Sequence, residues 1–268
     1  MRALFSSSRK SSIPTTVEAP QYRLIYFDTR GAAEPIRLLL SIAGASFEDM
    51  RYPMAAAAKG FTLSEDYIKD RDAGAYAINM NSLPALQISE RGATFTLGQS
   101  ASIVRYLGHR HGLMGATPLE TATVDCLYEC VRDIKSSWFK VKSTPDDGNA
   151  PAGEARREAK QRWWSTDLPV SCLKLEGAVS AAMQHDSLTT SGPWLVGSRA
   201  TIADVAVYHL LSTPTSLVSG STVSFMDNEG EGVRSALAAC PRLSAAVAAV
   251  GAIPAVRAWE NSRPDTFS

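Results

Sequence analysis

No cysteine occurs before Cys126 and no tryptophan before Trp138 in this 268-residue chain. A redox cysteine at the start of the first helix is therefore excluded. The remaining cysteines, Cys130, Cys172 and Cys240, are scattered through the rest of the chain. That pattern reads as free, mostly buried thiols in a reducing compartment rather than as a disulfide framework. Excess charge is also missing: Lys plus Arg and Asp plus Glu stand at 27 each, so nothing steers the protein toward nucleic acid or an anionic membrane. No apolar run approaches the ~20 residues of a membrane span. The four histidines are few, with two at 109 and 111, and Cys126-x-x-x-Cys130 lacks a second pair to complete a zinc site, so no metal is expected. No phosphate-binding glycine loop, Ser-His-Asp arrangement or internal repeat is found.

What is present is concentrated between Asn79 and Gly115. Pro84 opens a short apolar strand, a Glu90-Arg91-Gly92 turn follows, and a second strand runs into Gly98-Gln99-Ser100. Ser100 is placed to cap a helix whose Ile103, Val104 and Leu107 share one face. Arg105, His109, Arg110 and His111 suit the far end of its dipole, and Gly112 stops it. A strand-entry proline leaves the backbone of Leu83 available to an extended ligand. Gln99 and Ser100 put an amide, a hydroxyl and backbone N–H groups at a helix N-terminus, which suits a carboxylate.

In this order and spacing, Leu83-Pro84, Gly98-Gln99-Ser100, Arg105-Tyr106-Leu107 and Gly112-Leu113-Met114-Gly115 resemble the glutathione-binding half of a glutathione S-transferase. The resemblance implies a cis proline at Pro84, pairing of the Leu83 backbone with the cysteinyl part of glutathione, and a Gln99-Ser100 clamp on the γ-glutamyl carboxylate. It extends to the start of the chain. Tyr22–Phe27 alternates like a strand, Asp28-Thr29-Arg30-Gly31 is a turn, and Glu34-Pro35 opens a helix bearing Ile36, Leu39, Leu40 and Ile42. Tyr26-Phe27, Arg30-Gly31 and Ala33-Glu34-Pro35-Ile36-Arg37 are most similar to the tyrosine-type, sigma-like transferases.

By that resemblance Tyr26 is the catalytic residue, donating to the glutathione sulfur and favouring thiolate over thiol. A fall of ~2 units from a free-thiol pKa of ~8.5 corresponds to ~2.7 kcal/mol and makes most of the bound thiol reactive at neutral pH. Thr29 is the rival hydroxyl. Residues 53–78 read as long and irregular; Lys69 is the candidate for the glycine end of glutathione, where the family usually has a Trp and a Lys. Ala32 stands where many sigma-type chains have an arginine, and Ser82 where Lys or Gln is common, so the clamp is thinner than usual.

Past Gly115 the pattern turns helical. Val124, Leu127, Tyr128, Val131, Ile134 and Trp138 form an apolar stripe. Asp133 is the candidate acid that would reach the γ-glutamyl amine in a partner subunit. Trp138 and Phe139 stand open between core and a pocket for an electrophile, to which Phe27 and Thr29 would also contribute. Residues 143–153 read as a loop, 154–186 as a helix kinked at Pro169, Thr201 to Asp204 as a capping box without chemical role, and 219–234 as an acidic loop.

The expected fold is a thioredoxin-like α/β domain over 22–113 followed by an all-helical domain over 118–265, after a tail (1–21) that is disordered or a targeting segment. A cytoplasmic location is favoured over mitochondrial targeting. The resemblance implies a homodimer conjugating glutathione to apolar electrophiles, without nucleic acid, membrane or metal. Two alternatives remain: a glutathione-dependent isomerase or peroxidase, and a weakly catalytic binding protein on the same fold.

Overall fold

A computed structural model describes residues 19–56, 61–142, 154–185, 188, 191–212, 230–264 and 266. Strand β1 (Gln21–Phe27) leads through a 3-10 turn at Gly31–Ala33 into helix α1 (Glu34–Ile42), with Pro35 early in the helix where its missing N–H costs nothing. Strand β2 (Phe47–Tyr52) returns parallel to β1. The stretch expected to be irregular holds a hairpin, β3 (Met54–Ala56) with β4 (Phe61–Leu63), and helix α2 (Glu65–Asp72). The missed start signal is Ser64, whose hydroxyl accepts the Tyr67 N–H, with Glu65 and Asp66 in the first turn.

Strands β5 (Ala85–Glu90) and β6 (Ala93–Gly98) complete a four-stranded sheet of order β2-β1-β5-β6, antiparallel from β1 onward. Arg91 and Gly92 make their turn with positive φ of 53° and 77°. Helix α3 (Ser100–Arg110) packs with α1 on one face of the sheet, burying Leu24, Leu39, Leu86, Ile103 and Leu107. The other face carries a smaller cluster of Ile25, Tyr52, Tyr67, Tyr76 and Ala85 under α2.

The rest of the described chain is helical. Helix α4 (Pro118–Lys142) buries the whole expected stripe from Val124 to Trp138. The helix expected over 154–186 is divided: α5 (Glu154–Arg162), a π-helical turn at Trp163–Asp167, then α6 (Leu168–Ala182). The break precedes Pro169, because seating both Trp163 and Trp164 against Trp138 takes the extra residue of a π turn. Helix α7 (Ile202–Leu211) starts at the expected Thr201–Asp204 capping box and is buried almost throughout. The Asp204 carboxyl, pushed up by burial, also accepts the Leu195 N–H at 2.9 Å. Helices α8 (Gly230–Ala238), α9 (Pro241–Ala252) and α10 (Pro254–Ser262) follow, so the expected 219–234 loop is helical from Gly230. The loop at 143–153, the first 18 residues and 219–229 lie outside the described residues.

Two cysteine expectations need correcting. Cys172 and Cys240 are buried, with thiols pushed up by desolvation, but Cys126 is exposed and Cys130 half-buried. Among the described residues no single helix is long and apolar enough to cross a membrane; α9 and α10 pass by composition only as a pair bent by 68°.

Candidate functional site

Tyr26 is the penultimate residue of β1, half-buried, and the 28–33 turn wraps its phenol. The Ala32 N–H donates to the phenol oxygen at 3.2 Å. Gly31 has φ +41°, and a Cβ there would stand 2.7 Å from the same oxygen. Glycine is thus required twice, for the backbone angle and for the approach. Thr29 lies in the same turn, 9% exposed, and its Oγ1 also faces Gly31.

Buried charge holds this turn. Arg37, fully buried, donates from Nη1 to the carbonyls of Thr29 (2.8 Å) and Arg30 (3.3 Å) and from Nε to Asp49 at 3.1 Å. Its neighbour Glu34 accepts the indole N–H of Trp259 at 2.9 Å and pairs with Arg263, tying the α10 region to the turn. Charges this deep are tolerable only when paired, so loss of one partner is far costlier than the pair is stabilising.

Across the cleft, the Leu83–Pro84 peptide is cis. Asn79, 2% exposed, ties this loop to the α3 start: its Nδ2 donates to Ser82 O (2.8 Å) and Pro84 O (3.0 Å), and its Oδ1 accepts the Gln99 N–H (2.9 Å). A Cβ on Gly98 would lie 2.4 Å from the Asn79 Cβ. Gln99, exposed, takes φ 62° and ψ 110°, a costly conformation for a non-glycine residue. Ser100 proves to be the first helical residue of α3 rather than its cap. The Asn79 amide engages the Gln99 N–H, and no side chain on the flanking residue caps the helix. Asn79 was missed as a site residue, although Asn-x-Asn ahead of Ser-x-Pro is a turn signal.

The other candidates divide. Phe27 packs edge-on against Tyr67 at 4.8 Å and beside Tyr26 at 5.5 Å, so it props the phenol. Tyr67, not foreseen, donates to the Asn81 carbonyl at 3.2 Å and so braces the loop before Leu83. Lys69 is exposed on α2, while Arg71 of the same helix stands 6.0 Å over the Tyr67 ring. Asp133 is exposed; the acids that α4 turns toward α3 are Asp125 and Glu129, both paired with Arg105. Asp133 follows Glu129 by one turn on the same side of α4, farther along the helix from the Arg105 pair. Trp138 is fully buried against Trp163 and Trp164 and therefore belongs to the core, not to a pocket.

A cavity of about 180 Å³ opens between the sheet half and the helical half. Ala32 and Pro35 line it beside the Tyr26 turn, Ser100 and Val104 come from α3, and Tyr128, Val131 and Phe139 from α4. The cavity thus joins the turn that holds Tyr26 to the α3 N-terminus. Phe139 lines it; Phe27, Thr29 and Trp138 do not. Three basic side chains in its wall were not foreseen: Arg132 and Lys135 of α4, and His209 of α7. Lys135 Nζ lies 3.5 Å from His209 Nε2. Burial, then the charge of Lys135, pushes the imidazole well below its ordinary value against a hydrogen bond to the Gly31 backbone. Burial and Arg132 lower the Lys135 amine to about 8. The one sequence signal was a lysine next to Ile134 at the margin of the apolar stripe.

A family model for the glutathione S-transferase C-terminal domain matches residues 133–263. Glutathione S-transferase 1 of Ascaris suum is 34% identical over 133 residues, 48% of this chain and 56% of that relative's length. Hematopoietic prostaglandin D synthase of Gallus gallus is 27% identical over 247 residues, 92% of this chain and 98% of the other. Among solved structures, the glutathione S-transferase from Ascaris lumbricoides superposes with a TM-score of 0.59 at 25% identity, covering 92% of this chain and 98% of that one. The family-model match to the helical half, the aligned relatives and the shared architecture agree in what this chain is similar to, the glutathione S-transferases, and the fold is theirs.

Proposed function

We propose that this protein conjugates glutathione to apolar electrophiles, with Tyr26 as the hydroxyl that stabilises the thiolate. One observation carries the reading: the Ala32 N–H donates into the Tyr26 oxygen, which leaves the phenol's own proton for the sulfur. A phenol that accepts one hydrogen bond donates the next more strongly. Thr29 is the poorer donor, because it is buried in the turn at 9% exposure whereas Tyr26 is only half-buried.

The tripeptide would lie across the loop that Asn79 braces. The Leu83 backbone would pair with its cysteinyl part, the Gln99 amide and Ser100 hydroxyl at the α3 N-terminus would take the γ-glutamyl carboxylate, and Arg71 near Tyr67 suits the glycine carboxylate better than Lys69 does. On ionisation the thiol proton passes to solvent. The thiolate then attacks the electrophilic carbon, the carbon–sulfur bond forms, and the leaving group departs with the bonding electrons. Positioning and stabilisation of the anion supply the rate.

The reading extends to a tyrosine-type, sigma-like class, on the Tyr26-Phe27 and Ala33–Arg37 motifs. It includes a homodimer, for which exposed Ile78, Met80 and Phe95 offer apolar surface. A cytoplasmic location is consistent with four free cysteines. A glutathione-dependent isomerase is the second reading, favoured by alignment along 92% of the chain with prostaglandin D synthase.

The test is a pH titration of the glutathione thiol bound to wild type and to Tyr26→Phe. A depressed thiol pKa that rises by about 1–2 units in the variant supports the mechanism. A depression that survives the substitution moves the donor elsewhere, and absence of glutathione binding overturns the transferase reading.

A further inference from the structure

The helical half reaches the Tyr26 hydroxyl through one peptide group. His209 of α7 hydrogen-bonds the Gly31 backbone, and that bond favours the protonated ring. The ring therefore donates and the Gly31 carbonyl accepts. At the other end of the same peptide is the Ala32 N–H, which donates to the Tyr26 phenol oxygen at 3.2 Å. This peptide is trans, so its carbonyl and N–H point opposite ways and imidazole, peptide and phenol stand in series. Ala32 and His209 both line the cavity, which places the series along its wall.

We propose that His209 is a positioning residue for Tyr26: by donating to the Gly31 carbonyl it fixes and polarises the peptide whose N–H holds the phenol oxygen. Each hydrogen bond in such a chain strengthens the next by roughly 10–30%. A carbonyl that accepts makes its own peptide's N–H a better donor, and a phenol that accepts a stronger bond donates its proton more strongly in turn. Lys135 sets the tautomer. Its Nζ stands 3.5 Å from His209 Nε2, and an ammonium only donates, so Nε2 offers its lone pair and the proton of the neutral ring is on Nδ1. Lys135 of α4, Arg30 of the turn and Arg263 beyond α10 each oppose a second proton on the ring. His209 takes no part in the bond change. Its effect on the sulfur rests on Tyr26 as the hydroxyl that stabilises the thiolate, whereas its coupling to the Ala32 N–H does not.

The first arm of the test needs no glutathione. The Ala32 amide proton is followed by NMR in isotope-labelled protein, where Ala32→Ser identifies it by removing its signal. His209→Leu and His209→Phe both lack the ring donor, and only the second keeps a ring. Both are expected to move the Ala32 proton upfield, the direction of a weakened hydrogen bond, so that the lost donor and not a ring current is the cause. The second arm is a double-mutant cycle on the thiol pKa of bound glutathione, read from thiolate absorbance in wild type, His209→Leu, Tyr26→Phe and the double variant. His209→Leu alone should raise the thiol pKa by about 0.5, roughly threefold in the ratio of thiolate to thiol. In the Tyr26→Phe background it should add nothing, because the series then has no phenol at its end.

An upfield Ala32 proton together with a thiol effect confined to proteins that keep Tyr26 supports the proposal. An Ala32 proton that stays in place, or that moves in opposite directions in the two variants, overturns it. So does a thiol pKa that His209→Leu leaves unmoved or raises equally without the phenol, the additive result of a merely structural role. If Tyr26→Phe itself leaves the thiol pKa unchanged, the reading of Tyr26 fails, and the Ala32 proton alone decides whether His209 is coupled to that N–H. Should His209→Leu not fold, His209→Phe carries both arms.

Discussion

On the Tyr26 side of the cleft, buried polar side chains that line no cavity fix the backbone. Arg37 holds the carbonyls of Thr29 and Arg30, Glu34 ties the turn to Trp259, and Asn79 makes three hydrogen bonds between the cis-proline loop and the α3 start. On the Lys135 side the wall is apolar side chains from two packed helices, with charge set into it and few polar braces. The first side determines one backbone shape in many ways at once, which suits an invariant tripeptide. The second, His209 apart, is free to change residue by residue, and specificity belongs there.

If that contrast is right, perturbing the braced side should damage reaction and fold together, and perturbing the other should alter preference. Tyr26→Phe is expected to have the largest effect, lowering kcat/KM by about 10²–10³, the range for loss of one preorganised donor to a developing anion. Measured KM for glutathione should change little, since the phenol contacts only the sulfur. A loss below threefold would place the donor elsewhere.

Asn79→Ala should come next, although Asn79 lines no cavity. It leaves the carbonyls of Ser82 and Pro84 and the Gln99 N–H without their buried partner. Unmade buried hydrogen bonds of this kind cost about 1–3 kcal/mol, and Gln99 would be released from its positive-φ conformation. Denaturant unfolding should show the lower stability, and glutathione binding should weaken with it. A variant as stable as wild type but weakened toward glutathione would make Asn79 a ligand contact rather than a brace.

These residues also mark where sequence reasoning succeeded and where it stopped. The strand, turn and helix from Tyr22 to Ile42 and the segment from Pro84 to Gly112 were legible, because periodicity, capping residues and turn glycines all pointed one way. The α4 stripe and the Thr201 box were legible for the same reason. Residues 54–72 were not: the hairpin strands are three residues each, and α2 is so polar that no apolar stripe announces it. Trp138 could not be placed, since core and pocket both favour an aromatic side chain on that face. Lys135, Arg132 and His209 were invisible as a group. Arg132 and Lys135 share α4, His209 lies 74 residues beyond Lys135 in the chain, and only the docking of α7 on α4 brings them together.

The smallest expected effect is on stability, and its sign shows whether Lys135 is a net cost or a net support to the fold. Lys135 has a pKa of about 8 in the folded protein against roughly 10.4 in the unfolded chain. Between those values the unfolded state binds more protons, so stability rises with pH across that window. Below it, the cost of holding the ammonium in the wall is present in full. Lys135→Met removes that cost, and at pH 7 it should melt above wild type by about 2–4 °C, corresponding to about 1 kcal/mol in a protein of this size. The gap should close as wild type approaches pH 10. A lower melting temperature at pH 7 would mean that the lysine holds α4 to its neighbours. A higher one would mean that the fold tolerates a charge it would be more stable without.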